Sequence, residues 1–271
     1  MPDPVWSQRR LLEQYFAQSI RTFPDDPIVI SEGDSWFSFP VHANTIDHLD
    51  ELVKHRISLL RLEESGDTLF RMTAGSQRSK LRHLLTIYDV DALLFSGGGN
   101  DAVGPELLDL FDIVPPGESW QDFIIQDAME RQFRLIADAY HSLAHLRDVY
   151  RPDCWIVTHG YDYVKPSGKP TTFWLWPIPL SVVAGPWVKS NLEARGILGA
   201  SQAQVVGYLI DRLNETLAEV AAEHERFVAI DNRGLLKANE WSDELHPTRA
   251  GFKKIARSFL DVLQEELPDK F

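Results

Sequence analysis

Apolar residues recur along this chain in two alternating patterns: spacings of three and four that read as amphipathic helices, and short unbroken runs that read as buried strands. Leu11, Leu12, Tyr15, Phe16 and Ile20 mark a first helix over about 7–22, which Pro24 and Pro27 end. Ile28-Val29-Ile30 then reads as a buried strand running into Gly33-Asp34-Ser35. A helix over about 43–55 precedes a strand at 57–60, and a helix over about 77–88 precedes a strand at 92–95. The stretch 102–118, broken by Pro105, Pro115, Pro116 and Gly117, reads as irregular. Met129, Phe133, Ile136, Tyr140 and Leu143 form the stripe of a long helix over about 119–148, stopped by Pro152 before a fourth strand at 154–157. A helix over about 201–223 carries Val206, Leu209, Leu213, Leu217 and Val220, a fifth strand covers 227–230, and a last helix over about 248–265 carries Phe252, Ile255, Phe259 and Leu263.

Five apolar strands separated by amphipathic helices predict an α/β class, with a five-stranded parallel sheet covered on both faces. Residues 161–200 break the alternation with Pro166, Pro170, Pro177, Pro179 and Pro186 among many aromatics, and read as an insertion in a single domain spanning 1–271.

Apolar content of 44% and charged content of 25% are ordinary for a globular chain, and 271 residues can bury a core without disulfides or metals. The balance of 27 basic to 40 acidic residues leaves a formal charge of −13, which counts against nucleic acid and anionic lipid as partners. The lone cysteine, Cys154, lies in an apolar run and reads as a small buried residue. Met1-Pro2-Asp3-Pro4 shows no basic region followed by an apolar stretch, and no run approaches the ~18 apolar residues of a membrane span. The expectation is a cytoplasmic chain with no signal peptide and no integral membrane segment. Oligomeric state is left open.

Ligands of such sheets bind beyond the carboxyl ends of the strands. Four polar clusters fall at that edge: Gly33-Asp34-Ser35, Ser65-Gly66-Asp67-Thr68, Gly97-Gly98-Gly99-Asn100-Asp101 and Asp243-Glu244-Leu245-His246. Acyl transfer needs such an inventory. A serine hydroxyl requires a nearby base, a histidine supplies it, a carboxylate orients the ring, and preorganised donors hold the oxyanion. Ser35, His246 and Asp243 can fill the first three roles. The backbone amides of Ser35 and Gly66 and the side chain of Asn100 can be the donors. Asp243 and His246 are three apart at a helix entrance, where a turn brings them side by side, and Pro247 suits the helix's first turn.

These blocks resemble those of the SGNH hydrolase superfamily, the GDSL-like esterases and lipases. Gly33-Asp34-Ser35, Gly66, Gly98-Gly99-Asn100-Asp101 and Asp243-x-x-His246 occur in the family's order over residues 33–246. The resemblance implies a flavodoxin-like three-layer α/β/α sandwich. It implies Ser35 as nucleophile, Asp243 and His246 completing a triad, and Ser35, Gly66 and Asn100 forming the oxyanion hole. Position 36 is Trp where the longer motif has Leu, and Ala74-Gly75-Ser76 offers a rival to Gly66.

Other features point less directly. Gly97-x-Gly99-x-x-Ala102 fits a dinucleotide fingerprint, but the expected irregular stretch after Pro105 leaves no helix to open there. The elbow Gly-x-Ser-x-Gly fails at Phe37. His141 and His145 share a helix face with no third metal ligand evident, and read as solvated. His159 follows the fourth strand and either lines the pocket or holds a loop. Phe173, Trp174 and Trp176 form either a packing flap or a hydrophobic wall, and with Trp36 and Trp187 could stack on a sugar ring.

The expected function is cleavage of carboxylic esters through an acyl-enzyme, on a small-molecule, lipid or glycan ester, with no metal and no organic cofactor. An acyltransferase or carbohydrate O-deacetylase on the same site stays open, as does a non-catalytic binding protein on this scaffold.

Overall fold

The five apolar runs marked as strands pair into one parallel sheet. The computed structural model describes residues 4–103, 105–113, 119–175 and 180–271, with side chains outside 4–11, 103, 105–107, 172–175 and 180–184. In chain order the elements are α1 (Pro4–Thr22), β1 (Ile28–Gly33), α2 (Thr45–Leu52), β2 (Ser58–Arg61), α3 (Leu69–Thr73), α4 (Gly75–Ile87), β3 (Ala92–Ser96), α5 (Gly99–Val103), α6 (Gln126–Tyr150), β4 (Trp155–His159), β5 (Thr171–Leu175), β6 (Leu180–Ala184), α7 (Val188–Ala194), α8 (Ala200–Glu223), β7 (Phe227–Ile230) and α9 (Arg249–Glu266).

The sheet order is β2-β1-β3-β4-β7, and Val29 lies opposite Leu59 on one side and Ala92 on the other. β3 is buried along its whole length. α2 packs on α9 over one face, while α6 packs on α8 and α4 over the other. This is the flavodoxin-like three-layer α/β/α arrangement. From β1 the chain crosses to β2 on one side and then returns to β3 on the other, so the loops leaving β1 and β3 flank a topological switch point.

Local chemistry sets the element ends. The Asn44 side chain accepts from the amides of Ile46 (3.0 Å) and Asp47 (3.2 Å), and Asp47 accepts in return from the Asn44 amide (2.9 Å). This capping box starts α2 two residues later than its periodicity suggests. Thr248 caps α9 through the Gly251 amide at 3.3 Å. The fully buried Arg147 of α6 donates to the carbonyls of Cys154 (2.6 Å), Arg226 (2.8 Å) and Glu225 (2.6 Å), tying α6 to the entrances of β4 and β7.

The structure adds a short helix, α3, that the sequence reading lacked, and departs from that reading in three further places. Residues 105–110 form a 3-10 turn, and α5 does open at Gly99, against the expectation of an irregular stretch. α5 is five residues long, too short to show a period, and Asp101 anchors it by accepting from the Leu69 amide at 2.9 Å. The helix expected from 119 begins at Gln126, because Ile124 instead pairs with Phe111 in an isolated bridge. Within 161–200, β5 and β6 form an antiparallel hairpin and α7 follows it. Among the described residues no helix is long and apolar enough to cross a membrane.

Candidate active site

The turn bearing Ser35 starts where β1 touches β3. A Cβ on Gly33 would lie 2.8 Å from the Ser96 Cβ and 2.9 Å from the Ser96 carbonyl, so only glycine lets the strand end this close. The Asp34 amide then donates to the Ser96 carbonyl at 3.0 Å, and the Asp34 carbonyl accepts from Phe37 (3.1 Å) and Ser38 (3.0 Å). The Asp34 carboxyl accepts from the Trp36 amide at 2.9 Å, which closes the turn around Ser35.

His246 reaches this turn from the loop before α9. Its Nε2 lies 2.8 Å from Ser35 Oγ, and its Nδ1 lies 2.9 and 3.0 Å from the two Asp243 oxygens. Asp243 Oδ1 also accepts from the amides of Leu245 and His246, both at 2.8 Å. Thr171 Oγ1 donates to Asp243 Oδ2. Burial opposes the Asp243 charge, but hydrogen bonds and attraction from His246, with Thr171 and the backbone, outweigh it and hold this carboxyl below the usual range. Phe39 stacks on the imidazole at 4.4 Å, and the Trp187 ring stands edge-on at 5.9 Å. Ser35, Asp243 and His246 are all buried. An ionised carboxylate, an oriented imidazole and a hydroxyl therefore stand in one hydrogen-bonded series, which is the geometry for removing the hydroxyl proton.

Two further side chains, Trp36 and Glu244, lock the His246 loop in place. Trp36 Nε1 donates to the Leu245 carbonyl at 3.1 Å, so the residue after Ser35 holds the residue before His246. Glu244 is fully buried, and its two oxygens accept from the amides of Gly168 (2.7 Å), Lys189 (3.2 Å) and Val188 (2.9 Å). This acid, set inside Asp-x-x-His, fastens Gly168, Val188 and Lys189 to the site. Thr171, Phe39 and Glu244 escaped the sequence reading. Only Glu244 had a signal, as an acid flanked by two residues already chosen.

Ser35 and Asn100 line a cavity of ≈ 20 Å³, walled by Trp36, Tyr161, Val164, Ile210 and Leu245. That is room for one water-sized group. Asn100 Nδ2 donates to the Asp67 carbonyl at 2.7 Å, leaving its second N–H for the cavity. Gly66 adopts φ +85° in the exposed turn just before Asp67, and is not among the cavity's described lining residues. Its rival Gly75 opens α4, where Ser76 and Gln77 face a different cavity.

Trp36 lines the cavity, but His159 does not. His159 is fully buried behind Trp36, whose ring it meets at 5.4 Å, and its Nε2 lies 2.9 Å from Ser96 Oγ. Trp36 stands between His159 and the cavity. His159 sits beside Asp34, which Ser96 Oγ contacts at 2.8 Å and Tyr161 contacts through its hydroxyl. Burial raises the Asp34 carboxyl above its ordinary value despite these bonds, and lowers His159 to about 4. Trp176 lies outside the described residues, as do the Phe173 and Trp174 side chains. His141 Nδ1 lies 2.9 Å from His224 Nε2, and His145 is exposed. Cys154 is buried, and burial pushes its thiol up to about 12.

No family model matches the chain, and no curated protein sequence matches it. Its structure is similar to solved structures at low identity. A protein from Slackia heliotrinireducens assigned to the SGNH hydrolases is 13% identical, with 88% of this chain and 99% of that one covered and a TM-score of 0.55. The extracellular lipase of Streptomyces rimosus is 15% identical, with 89% and 99% covered and a TM-score of 0.53. Phospholipase A1 of Streptomyces albidoflavus NA297 is 13% identical, with 89% and 99% covered and a TM-score of 0.51. GDSL-like lipases stand among the similar structures too. Sheet order, switch-point loops and these likenesses together give the chain the fold of the SGNH hydrolases and GDSL-like lipases.

Proposed function

We propose that this protein is a serine hydrolase of carboxylic esters that works through an acyl-enzyme. One observation carries the reading: the series Asp243–His246–Ser35, with contacts of 2.9 and 2.8 Å, opens on a cavity that Asn100 also lines. His246 Nε2 accepts the Ser35 proton as Oγ bonds the ester carbonyl carbon. The Ser35 amide and Asn100 Nδ2 hold the oxyanion; Gly66, outside the cavity lining, is not needed as a third donor. His246 then returns the proton to the departing alcohol oxygen as the ester C–O bond breaks. Water repeats the cycle on the acyl-Ser35 bond, releasing the acid and the free serine. Asp243 keeps the Nδ1–H tautomer and balances the imidazolium charge.

We read residues 1–271 as one domain in which 161–200 is an insertion, and Glu244 and Thr171 support this by bonding it to the site loop. Ser35→Ala tests the function. Hydrolysis of p-nitrophenyl acetate and labelling by a fluorophosphonate should both vanish, with the fold intact by circular dichroism. Undiminished hydrolysis in that variant would overturn the reading.

A further inference from the structure

The acid before Ser35 belongs to a buried network that the ester chemistry above does not use. Asp34, Ser96, His159 and Tyr161 are all buried. Four close contacts run through them in series; a fifth, Ser96 Oγ to Tyr161 Oη at 3.3 Å, is longer than a hydroxyl hydrogen bond and needs no hydrogen of its own. Tyr161 Oη meets Asp34 Oδ2; Asp34 Oδ1 is 2.8 Å from Ser96 Oγ; Ser96 Oγ is 2.9 Å from His159 Nε2; His159 Nδ1 is 2.8 Å from the Gly160 carbonyl. Each of the four needs a hydrogen between its heavy atoms, because two facing lone pairs at this distance repel. The Tyr161 hydroxyl, the Ser96 hydroxyl and a neutral imidazole supply one each. An ionised Asp34 supplies none, and neither does the Gly160 carbonyl. The other donors to these atoms, the Trp36 amide on Asp34 Oδ1 (2.9 Å) and Asn232 Nδ2 on the Gly160 carbonyl (3.1 Å), serve only their own contacts. Four contacts and three hydrogens leave one proton to be found.

We propose that Asp34 and His159 hold one shared proton in the folded chain at neutral pH, and act as positioning residues that keep the turn bearing Ser35 free of net charge. The proton rests at the Asp34 end, since burial raises that carboxyl and lowers His159. Around the network, the β1 turn presents Trp36 and Phe37, and α9 presents Phe259. Tyr140 of α6 donates to the Gly97 carbonyl at 2.9 Å. His246 faces Asp34 from the α9 loop. Among the described residues no lysine or arginine touches the four. An ionised Asp34 would place its charge beside the oxyanion that forms on ester attack. That consequence rests on the hydrolase reading; the proton count does not.

Linkage decides the count. An unfolded aspartate and histidine titrate near ~3.9 and ~6.5, so above about pH 7 the unfolded pair binds no proton while the folded pair keeps one. Stability contributed by the pair then falls as pH rises. In Asp34→Asn both states bind none there. Urea unfolding of both proteins between about pH 7 and 9 should give slopes of stability against pH that differ by one proton. Equal slopes throughout would overturn the proposal. If Asp34→Asn does not fold, ¹⁵N-histidine NMR of the unaltered chain decides. Read with the ¹³C shift of the Asp34 carboxyl, a protonated carboxyl or an imidazolium supports the count; an ionised carboxylate beside a neutral ring overturns it. For the positioning role, kcat/KM of the unaltered chain should show an alkaline limb that Asp34→Asn lacks, and identical alkaline profiles would overturn that role. A chain that hydrolyses no ester would refute the hydrolase reading and the positioning role with it, while the unfolding slopes still decide the proton.

Discussion

Asp243→Asn is the sharpest probe of how His246 is held. Asp243 Oδ1 accepts two backbone amides at 2.8 Å, and Oδ2 accepts from Thr171 and lies 2.9 Å from His246 Nδ1. An asparagine that keeps its carbonyl for the two amides turns its NH₂ toward Nδ1. Two donors then face each other unless the imidazole moves its hydrogen to Nε2. In that tautomer Nε2 presents a hydrogen to Ser35 and cannot take the serine proton. The wrong tautomer should cost about 10⁴-fold in kcat, or about 5–6 kcal/mol of barrier. The backbone bonds survive, so the stability change should stay near one charge-assisted hydrogen bond, about 1–3 kcal/mol. Steady-state hydrolysis of p-nitrophenyl acetate and fluorophosphonate labelling rates measure the first effect, and urea unfolding the second. Asp243→Asn combined with Ser35→Ala should be no slower than Ser35→Ala alone, because the residues act as a unit. A folded Asp243→Asn protein within tenfold of the original activity would refute the orienting role.

Four further outcomes follow from other contacts. Asp243 titrates below its ordinary range, so its share of stability is complete above the unfolded value of about 3.9 and is lost as pH falls through the folded one; acid unfolding of Asp243→Asn should lack that share. Glu244→Gln leaves an NH₂ facing backbone amides of 168, 188 and 189, and should cost about 1–3 kcal/mol while speeding exchange of those three amides. Arg147→Ala strips the donors from three carbonyls and should cost about 3–5 kcal/mol in urea unfolding without shifting KM. Cys154, buried with its thiol pushed up to about 12, should resist a disulfide reagent at neutral pH until the chain is unfolded.

How far the sequence could be read depended on the range of the interaction. Helices and strands repeat a period, so α8 and β3 were legible from their own residues. Ser35 and His246 were legible because each lies in a short block at the same strand edge, although they meet across 211 positions. Thr171 was not, since a threonine among prolines and aromatics carries no mark that a carboxylate 72 positions later needs its hydroxyl. The β5–β6 hairpin hid for a related reason: Thr171–Leu175 and Leu180–Ala184 lack the apolar–polar alternation that betrays a half-exposed strand. Position 36 shows the limit most clearly. The sequence marks Trp36 only as a ring that could face a ligand, yet Trp36 walls the cavity, covers His159 and holds the Leu245 carbonyl. A leucine there could supply only the first of those contacts. Trp36 therefore joins the network to the site: its indole covers His159, shares the cavity wall with Asp34 and Tyr161, and fixes the His246 loop with one ring.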